Sequence, residues 1–450
     1  MNRVLIANRG EIAVRVLRAC KRVGIEAVMV YSRADRDMPY LRDADRAICI
    51  GPPAATHSYL SQNAILTAAL GTGCDAVHPG YGFLAENADF AERCAQQGLT
   101  FIGPSPQAIR LMGDKIAGRE AAQRYGVPLV PGSQLDISDP KIAREEAERV
   151  GFPLLIKASA GGGGRGMRVV TDATDLESQV EQARAEALAA FSNPSVYLER
   201  FFAKVHHVEV QVFGDSHGNA VQLGERDCST QRRHQKLVEE SPSPVLDDEL
   251  RSAMCETALN LTRTMGYTSA GTIEFIFDPR ERKFYFIEMN TRIQVEHPVT
   301  EVVTGADLVA EQLRVAAGEA LALPSRPPSG HAIEWRINAE DPARNFLPTP
   351  GTISRFRVPQ GEGIRVDTFV EEGHVLSPYY DSLLAKLIVH GSDRAQALAR
   401  SATALAQFEV QGVSTTLPFH RHLVEHEHFI TNQVHTRWVE ENLAELGQHN

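Results

Sequence analysis

Two alternating runs joined by a short polar turn constrain this chain most. Ile273, Phe275 and Phe277 alternate with Thr272, Glu274 and Ile276, and Tyr285, Ile287 and Met289 alternate with Phe284, Phe286 and Glu288. A period of two marks a strand, and the turn opening at Asp278-Pro279 makes the two runs an antiparallel hairpin. Pairing Asp278 with Phe284 sets Glu274 opposite Glu288, with Asn290 one step further on that face. Two facing carboxylates repel each other unless a cation or a proton lies between them. Oxygen ligands of this kind, few in number, suit magnesium or manganese; the alternative is an acid pair tolerated at a sheet edge. Beyond Asn290, Arg292, Gln294 and Glu296 keep the same parity if the chain stays extended. A guanidinium offers a planar fork to a small oxyanion, and a carboxylate beside it can take a proton.

At 450 residues the chain is expected to form two to four domains. Its net charge of -11 argues against a nucleic-acid partner. The six cysteines form no CxxC pair and read as reduced thiols; no run of about 18 apolar residues suggests a membrane span. A cytoplasmic protein with neither membrane nor nucleic acid as partner is expected. In the first hundred residues, strand-like Arg3 to Ala7, Ala27 to Tyr31, Asp75 to His78 and Thr100 to Ile102 accompany a helix carrying Ile12, Val16 and Cys20 on one face. That alternation predicts a parallel α/β sheet, with the turn-rich segment His78 to Phe83 at a strand's carboxyl end, where such sheets place ligands. The Pro- and Ser-rich segment Leu323 to Gly330 reads as a linker. Beyond it, an alternating strand from His331 and a helix with Ala395, Leu398, Ala402 and Leu405 on one face predict an α+β domain.

Between two strand-like segments, Leu154 to Ala158 and Met167 to Val170, lies the run Gly161-Gly162-Gly163-Gly164-Arg165-Gly166. Backbone without Cβ atoms can close over phosphates, or simply turn. The run is not a Walker A loop, because GxxxxGK[ST] is absent. Lys157 and Lys115 offer point charges suited to phosphate. His207, Glu209 and Gln211 form a polar row opposite Val208, Val210 and Val212. Gln231, Arg232, Arg233, His234 and Lys236 follow, either a solvated basic loop or, in an acidic chain, the natural anion site.

The strings EMNTRIQVEHP (Glu288 to Pro298), RRHQK (Arg232 to Lys236), GGGGRGM (Gly161 to Met167) and RINAEDP (Arg336 to Pro342) together resemble the signature of the biotin carboxylase family, an ATP-grasp group. The likeness runs from NRGEIA near the start to YYDSLLAK at Tyr379 to Lys386. It implies an α/β and α+β multidomain protein: a Rossmann-like amino-terminal domain over 1–112, an ATP-grasp domain over 113–318 with a mobile lid at about 130–202, and a carboxyl-terminal biotin carboxylase domain over 331–446. The implied reaction is ATP-dependent carboxylation of biotin by bicarbonate through carboxyphosphate, the first half of an acyl-CoA carboxylase reaction, with acetyl-CoA the default acceptor. Rival readings are another ATP-grasp ligase making an acyl-phosphate, or a nucleotide-binding protein without catalysis.

The resemblance implies roles residue by residue. ATP falls to Lys115, Lys157, Gly163, Gly164, Met167, Glu199, Arg200, Phe202, His207, Gln231, His234, Lys236, Glu274 and Glu288. Bicarbonate falls to Lys236, Arg292, Gln294, Val295 and the base Glu296, biotin to Tyr81 and Arg336, and Mg2+ or Mn2+ to Glu274, Glu288 and Asn290. Glu296, Arg336, Lys236 and Arg292 carry the chemistry. Biotin is expected on a separate carrier protein: no Met-Lys-Met string occurs, and little chain follows Lys386 to hold a carrier domain. A carboxyltransferase and a second copy of the chain are the other implied partners. Two departures stand out: Ala160 where a glycine is usual, and Trp335 where a smaller residue is, altering either the biotin pocket or the packing behind it.

Overall fold

The computed structural model describes residues 1–133, 136–159, 167–191, 193–323 and 328–443, and of these the side chains of Lys115, Ile116 and Phe191 fall outside the description. The amino-terminal strands Arg3–Ile6 (β1), Glu26–Ser32 (β2), Arg46–Gly51 (β3), Ala76–His78 (β4) and Thr100–Phe101 (β5) form a parallel sheet in the order β3-β2-β1-β4-β5. The helix Gly10–Val23 buries Ile12, Val16 and Cys20 against it, as their spacing predicts. Just past β4, Gly80 takes φ +63°, and a Cβ there would sit 2.9 Å from Ile12 and 3.0 Å from Asn8. Asn8 Nδ2 donates to the carbonyls of Pro79 and Tyr81, both at 2.7 Å, which fixes the loop and aims the Tyr81 hydroxyl at Glu11 Oε2, 2.9 Å away.

A small antiparallel sheet follows: Leu154–Ala158 (β6) lies between Arg168–Val170 (β7) and Val196–Arg200 (β8). The helices Pro140–Val150 and Leu176–Phe191 bury Ala143, Ala147, Val180 and Ala183 against it. Eight of the remaining strands make one sheet, and the others pair in short two-stranded ribbons. His206–Gly214 (β9), Ala220–Arg232 (β10), Gln235–Ser241 (β11), Ser269–Asp278 (β12), Lys283–Asn290 (β13) and His331–Asn338 (β14) run in the order β13-β12-β9-β10-β11-β14, continued by Leu383–Gly391 and Ile364–Thr368. Pairing of Val238 with Trp335 carries the sheet across the linker.

Three sequence expectations need correction. The β12–β13 hairpin starts one residue earlier than predicted, with Asp278 opposite Lys283 and Phe277 opposite Phe284. A bulge between the Phe275–Phe286 and Glu274–Glu288 pairs takes up the extra residue, so the two glutamates still face each other. After Asn290 the chain does not stay extended. It loops, and a helix begins at His297 with Pro298 in its first turn, a position where proline's missing N–H costs nothing. In the helix Arg394–Gln407 the buried face carries Ala397, Ser401, Ala404 and Leu405, while Ala395 is exposed. Alanine recurs too often in that helix to mark a face, and buried Ser401 accepts a hydrogen bond from Trp335 Nε1 at 3.0 Å.

Candidate active site

The polar row of β9 is not solvated. Glu209 and Gln211 are fully buried and face acids and cations arriving from four neighbouring segments. From the β10–β11 hairpin, Lys236 Nζ reaches Glu209 Oε2 at 2.6 Å, Glu274 Oε1 at 3.0 Å and Glu296 Oε1 at 2.7 Å. An ammonium has three N–H donors, and three carboxylates take them all. Burial works against the Lys236 charge, but Cys228, Glu209, Glu274 and Glu296 around it reverse that and hold its pKa well above the usual lysine range. Arg226 lies beneath, donating to Glu209 Oε1 at 2.6 Å, Gln211 Oε1 at 2.8 Å and the Thr300 hydroxyl at 3.0 Å.

Glu296 is the N-cap of the helix His297–Thr304, yet its side chain makes no capping bond. Its carboxylate is spent on the site: Oε1 on Lys236, and Oε2 on Arg336 Nη2 at 2.8 Å. Burial pushes the Glu296 carboxyl up, and Lys236, Arg336 and Arg226 outweigh burial and hold it well below the usual range. Arg336 is likewise an ion pair with Glu239, Nε to Oε1 2.6 Å. Trp335 points to the other face of β14 and packs on His420 and Phe429, with ring centroids 5.5 Å away in each case. Trp335 therefore fills the packing behind the site.

The other predicted residues divide into three groups. Joined to the cluster are Asn290, whose Nδ2 donates to Glu274 Oε1 at 2.9 Å, and Gln294, whose oxygen accepts from Arg292 Nη1 at 2.9 Å. Arg292 also donates to Asn290 Oδ1 at 3.1 Å and to Glu86 Oε2 at 2.9 Å. His207 meets Glu274 Oε2 at 3.1 Å, with Gln231 Nε2 3.4 Å from its Nδ1, and the Val295 carbonyl accepts from Lys386 Nζ at 2.8 Å. A second group belongs to the small sheet. Glu199 holds both Lys157 and Arg119; Arg200 pairs with Glu281 at 2.7 Å, Phe202 stacks on Tyr285 at 5.4 Å, and Met167 is half-buried. His234 is exposed at the tip of the β10–β11 hairpin. Gly163, Gly164, Ala160 and the Lys115 side chain lie outside the described residues.

Glu274 is the predicted metal ligand with the richest surroundings. Burial raises its pKa, while Lys236 and His207 more than reverse the shift, so it is ionised. His207, Glu209 and Glu274 bring ligand atoms within 4.8 Å of one another. With Glu288 opposite Glu274 across the hairpin, the donor set is dominated by carboxylate oxygens and fits a hard divalent cation.

Family models match nearly the whole chain: "Biotin carboxylase, N-terminal domain" over 1–109, "Carbamoyl-phosphate synthase L chain, ATP binding domain" over 114–323 and "Biotin carboxylase C-terminal domain" over 334–441. Biotin carboxylase 1 of Bacillus subtilis is 51% identical over 98% of each chain. The chain belongs to the biotin carboxylase family. Its ATP-grasp fold matches the solved biotin carboxylase of Campylobacter jejuni in complex with an ATP ligand, with TM-score 0.92 and 46% identity over 98% of each chain. The biotin carboxylase domain dimer of Hydrogenobacter thermophilus 2-oxoglutarate carboxylase, solved with MgADP and bicarbonate, aligns with TM-score 0.93 and 46% identity over 100% of this chain and 99% of that one.

Beside the motifs that mark the family, the structure adds residues that the sequence did not single out. Glu209 and Arg226 complete the cage around Lys236, Glu86 holds Arg292, and Glu239 holds Arg336. Glu209 was visible in the polar row. Glu86 is far away in sequence, and no local pattern announces it.

Proposed function

We propose that this chain uses ATP and bicarbonate to carboxylate biotin, with the cluster around Lys236 and Glu296 as its reaction centre. The observation that carries this is the placement of one carboxylate, Glu296, between a phosphate-type cation and a guanidinium on the next domain's strand. Glu296 takes the proton of bicarbonate, held by Arg292, Gln294 and the Val295 segment. A bicarbonate oxygen then attacks the γ-phosphorus, the bond to ADP breaks, and carboxyphosphate forms. Lys236 stabilises charge on the transferring phosphoryl group. When carboxyphosphate breaks down beside biotin into carbon dioxide and phosphate, the phosphate takes the biotin N–H proton, and Arg336 stabilises the resulting biotin anion, which captures the carbon dioxide.

Glu274 and Glu288, with Asn290 beside them, would hold magnesium or manganese, which when bound neutralises phosphate charge. Residues Lys157, Met167, Glu199, Arg200, Phe202, His207, Gln231 and His234, with Lys115, Gly163 and Gly164, are proposed to line the nucleotide. Tyr81 is proposed to border biotin. With Lys236 and Arg336 both on Glu296, that carboxylate is a weak base; its strength rises when substrates draw those cations away. The biotin is read as borne by a separate carrier protein, the acceptor as acetyl-CoA on a carboxyltransferase, the assembly as a homodimer, and the compartment as the cytoplasm. ADP release measured with and without bicarbonate and biotin tests the core reading. Release indifferent to both would overturn it.

A further inference from the structure

Behind Arg336 lies a second acid pair that the reaction above does not use. Strands β11 and β14 set Glu239 directly opposite Glu334, and Arg336 follows two residues later on the same face. Side chains paired this way have Cβ atoms about 4.5–5.5 Å apart. Both glutamates are fully buried, beneath the helix His297–Thr304. None of their four carboxyl oxygens has a directed hydrogen bond to any described residue. Arg336 Nε is 2.6 Å from Glu239 Oε1, but neither atom has a hydrogen-bond partner, so the contact is ionic and off the N–H axis.

Two buried carboxylates facing each other cannot both stay charged without a cation between them. The nearest candidate on the next strand, Lys386, is opposite Arg336 in register, but its ammonium is turned to the Val295 carbonyl at 2.8 Å and to Glu11 at 3.1 Å. A proton is the remaining partner. Given the reading of Arg336 as the biotin-side cation, we propose that Glu334 is a carboxylic acid donating its proton to Glu239, and that Glu239, so fixed and still charged, positions the Arg336 guanidinium. Glu334 and Glu239 are thus positioning residues that touch no substrate.

The assignment of the proton follows from contacts: Glu239 has the guanidinium beside it, while Glu334 makes no ion pair with any described residue. The trend in proton affinity agrees. Burial pushes both carboxyls up; Arg336 limits the rise of Glu239, to about 7, and Glu334 stays well above the usual range despite Lys386. The other charged or titratable groups near the pair are Glu296, Lys236, Glu209 and the Cys228 thiol, which burial pushes up and keeps neutral; His297, on the overlying helix, is kept neutral by burial and by Lys386.

The two conservative variants separate this from a merely structural role. Glu334→Gln replaces an acid O–H donor by an amide N–H donor, so biotin kcat/KM should stay within about threefold of wild type. Glu239→Gln removes the charge beside Arg336 and should lower biotin kcat/KM by about 10- to 100-fold, the scale of a misplaced catalytic group, with the Kd for ATP unchanged. Difference infrared spectra at neutral pH, wild type minus Glu334→Gln, should contain the C=O stretch of one protonated carboxylic acid. An absent acid band, the reverse order of sensitivity, or a Glu334→Gln protein that does not fold each overturns the proposal. If Arg336→Ala leaves biotin turnover unchanged while the acid band is present, the biotin role of Arg336 fails and the protonated pair stands.

Discussion

Glu296→Gln separates base chemistry from the architecture that holds the base. In the structure the carboxylate accepts from Lys236 at 2.7 Å on one oxygen and from Arg336 at 2.8 Å on the other. The amide keeps one acceptor and turns an NH2 group toward the second cation, so roughly one charge-assisted hydrogen bond is lost, about 1.5–3 kcal/mol of stability. Lys236 keeps Glu209 and Glu274, and Arg336 keeps Glu239, so the cluster should persist. Loss of a general base costs about 10² to 10⁴ in rate, or about 3–5.5 kcal/mol of transition-state stabilisation. Saturating-substrate assays of biotin-dependent ADP release, with ATP affinity measured by calorimetry, should show that fall in kcat with Kd for ATP unchanged. The stability effect has a sign as well. The folded-state pKa of Glu296 is held below its unfolded value, near 4.3. Its contribution is therefore present at neutral pH and lost as pH falls below about 4, where the gap between wild type and variant in chemical denaturation should close. Biotin-dependent turnover within twofold of wild type would refute the reasoning.

Arg336→Ala should spare ATP binding and lower biotin carboxylation by roughly 10² or more, because it removes charge stabilisation of the biotin anion; unchanged biotin kinetics would return Arg336 to a structural ion pair. Glu274→Gln and Glu288→Gln should each raise the magnesium needed for half-maximal ADP release, and the double variant should be less than additive, since one site is shared. Trp335→Ala should cost about 3–5 kcal/mol in urea unfolding, through lost packing on His420 and Phe429, with little change in KM for biotin. A separately purified biotinylated carrier should give a higher biotin-dependent kcat/KM than free biotin, through contacts remote from the ring; equal values would count against a carrier-bound substrate.

The facing of Glu274 and Glu288 was legible from alternation even though the starting register was off by one, because the bulge that corrects it lies between the two ends of the argument. Bulges leave no trace in a period of two. The β10–β11 turn was harder to read. Arg233 and His234 form its two central positions at φ +47° and +65°, where Asn-Gly is the favoured pair, so a tight hairpin looked like a basic loop. The edge strand β3 escaped notice because only Ile50 in it is buried, leaving no apolar rhythm. Lys236, Arg336 and Arg292 were picked out by motif. Their counter-charges were not: Glu209, Glu239 and Glu86 come from other strands and loops, and only folding brings them within 3 Å.

Lys386 has a wider consequence. Its ammonium, fully buried, binds Glu11 of the first helix and the Val295 carbonyl of the loop between the two halves of the central sheet's chemistry, while its own strand comes from beyond the linker. Three stretches of chain distant in sequence thus share one charge. Prising any of them away would leave a cation with unsatisfied donors in the interior, an opening that costs about 3–5 kcal/mol. Among the described residues the small sheet has no tie of this kind to Lys386; its last strand meets the β12–β13 hairpin through the partly exposed ion pair Arg200–Glu281, and just beyond that strand Phe202 stacks on Tyr285 of β13. Hydrogen exchange should accordingly be slow and concerted through the cradle and faster in the small sheet, so that one part of the molecule breathes while the reacting groups keep their places.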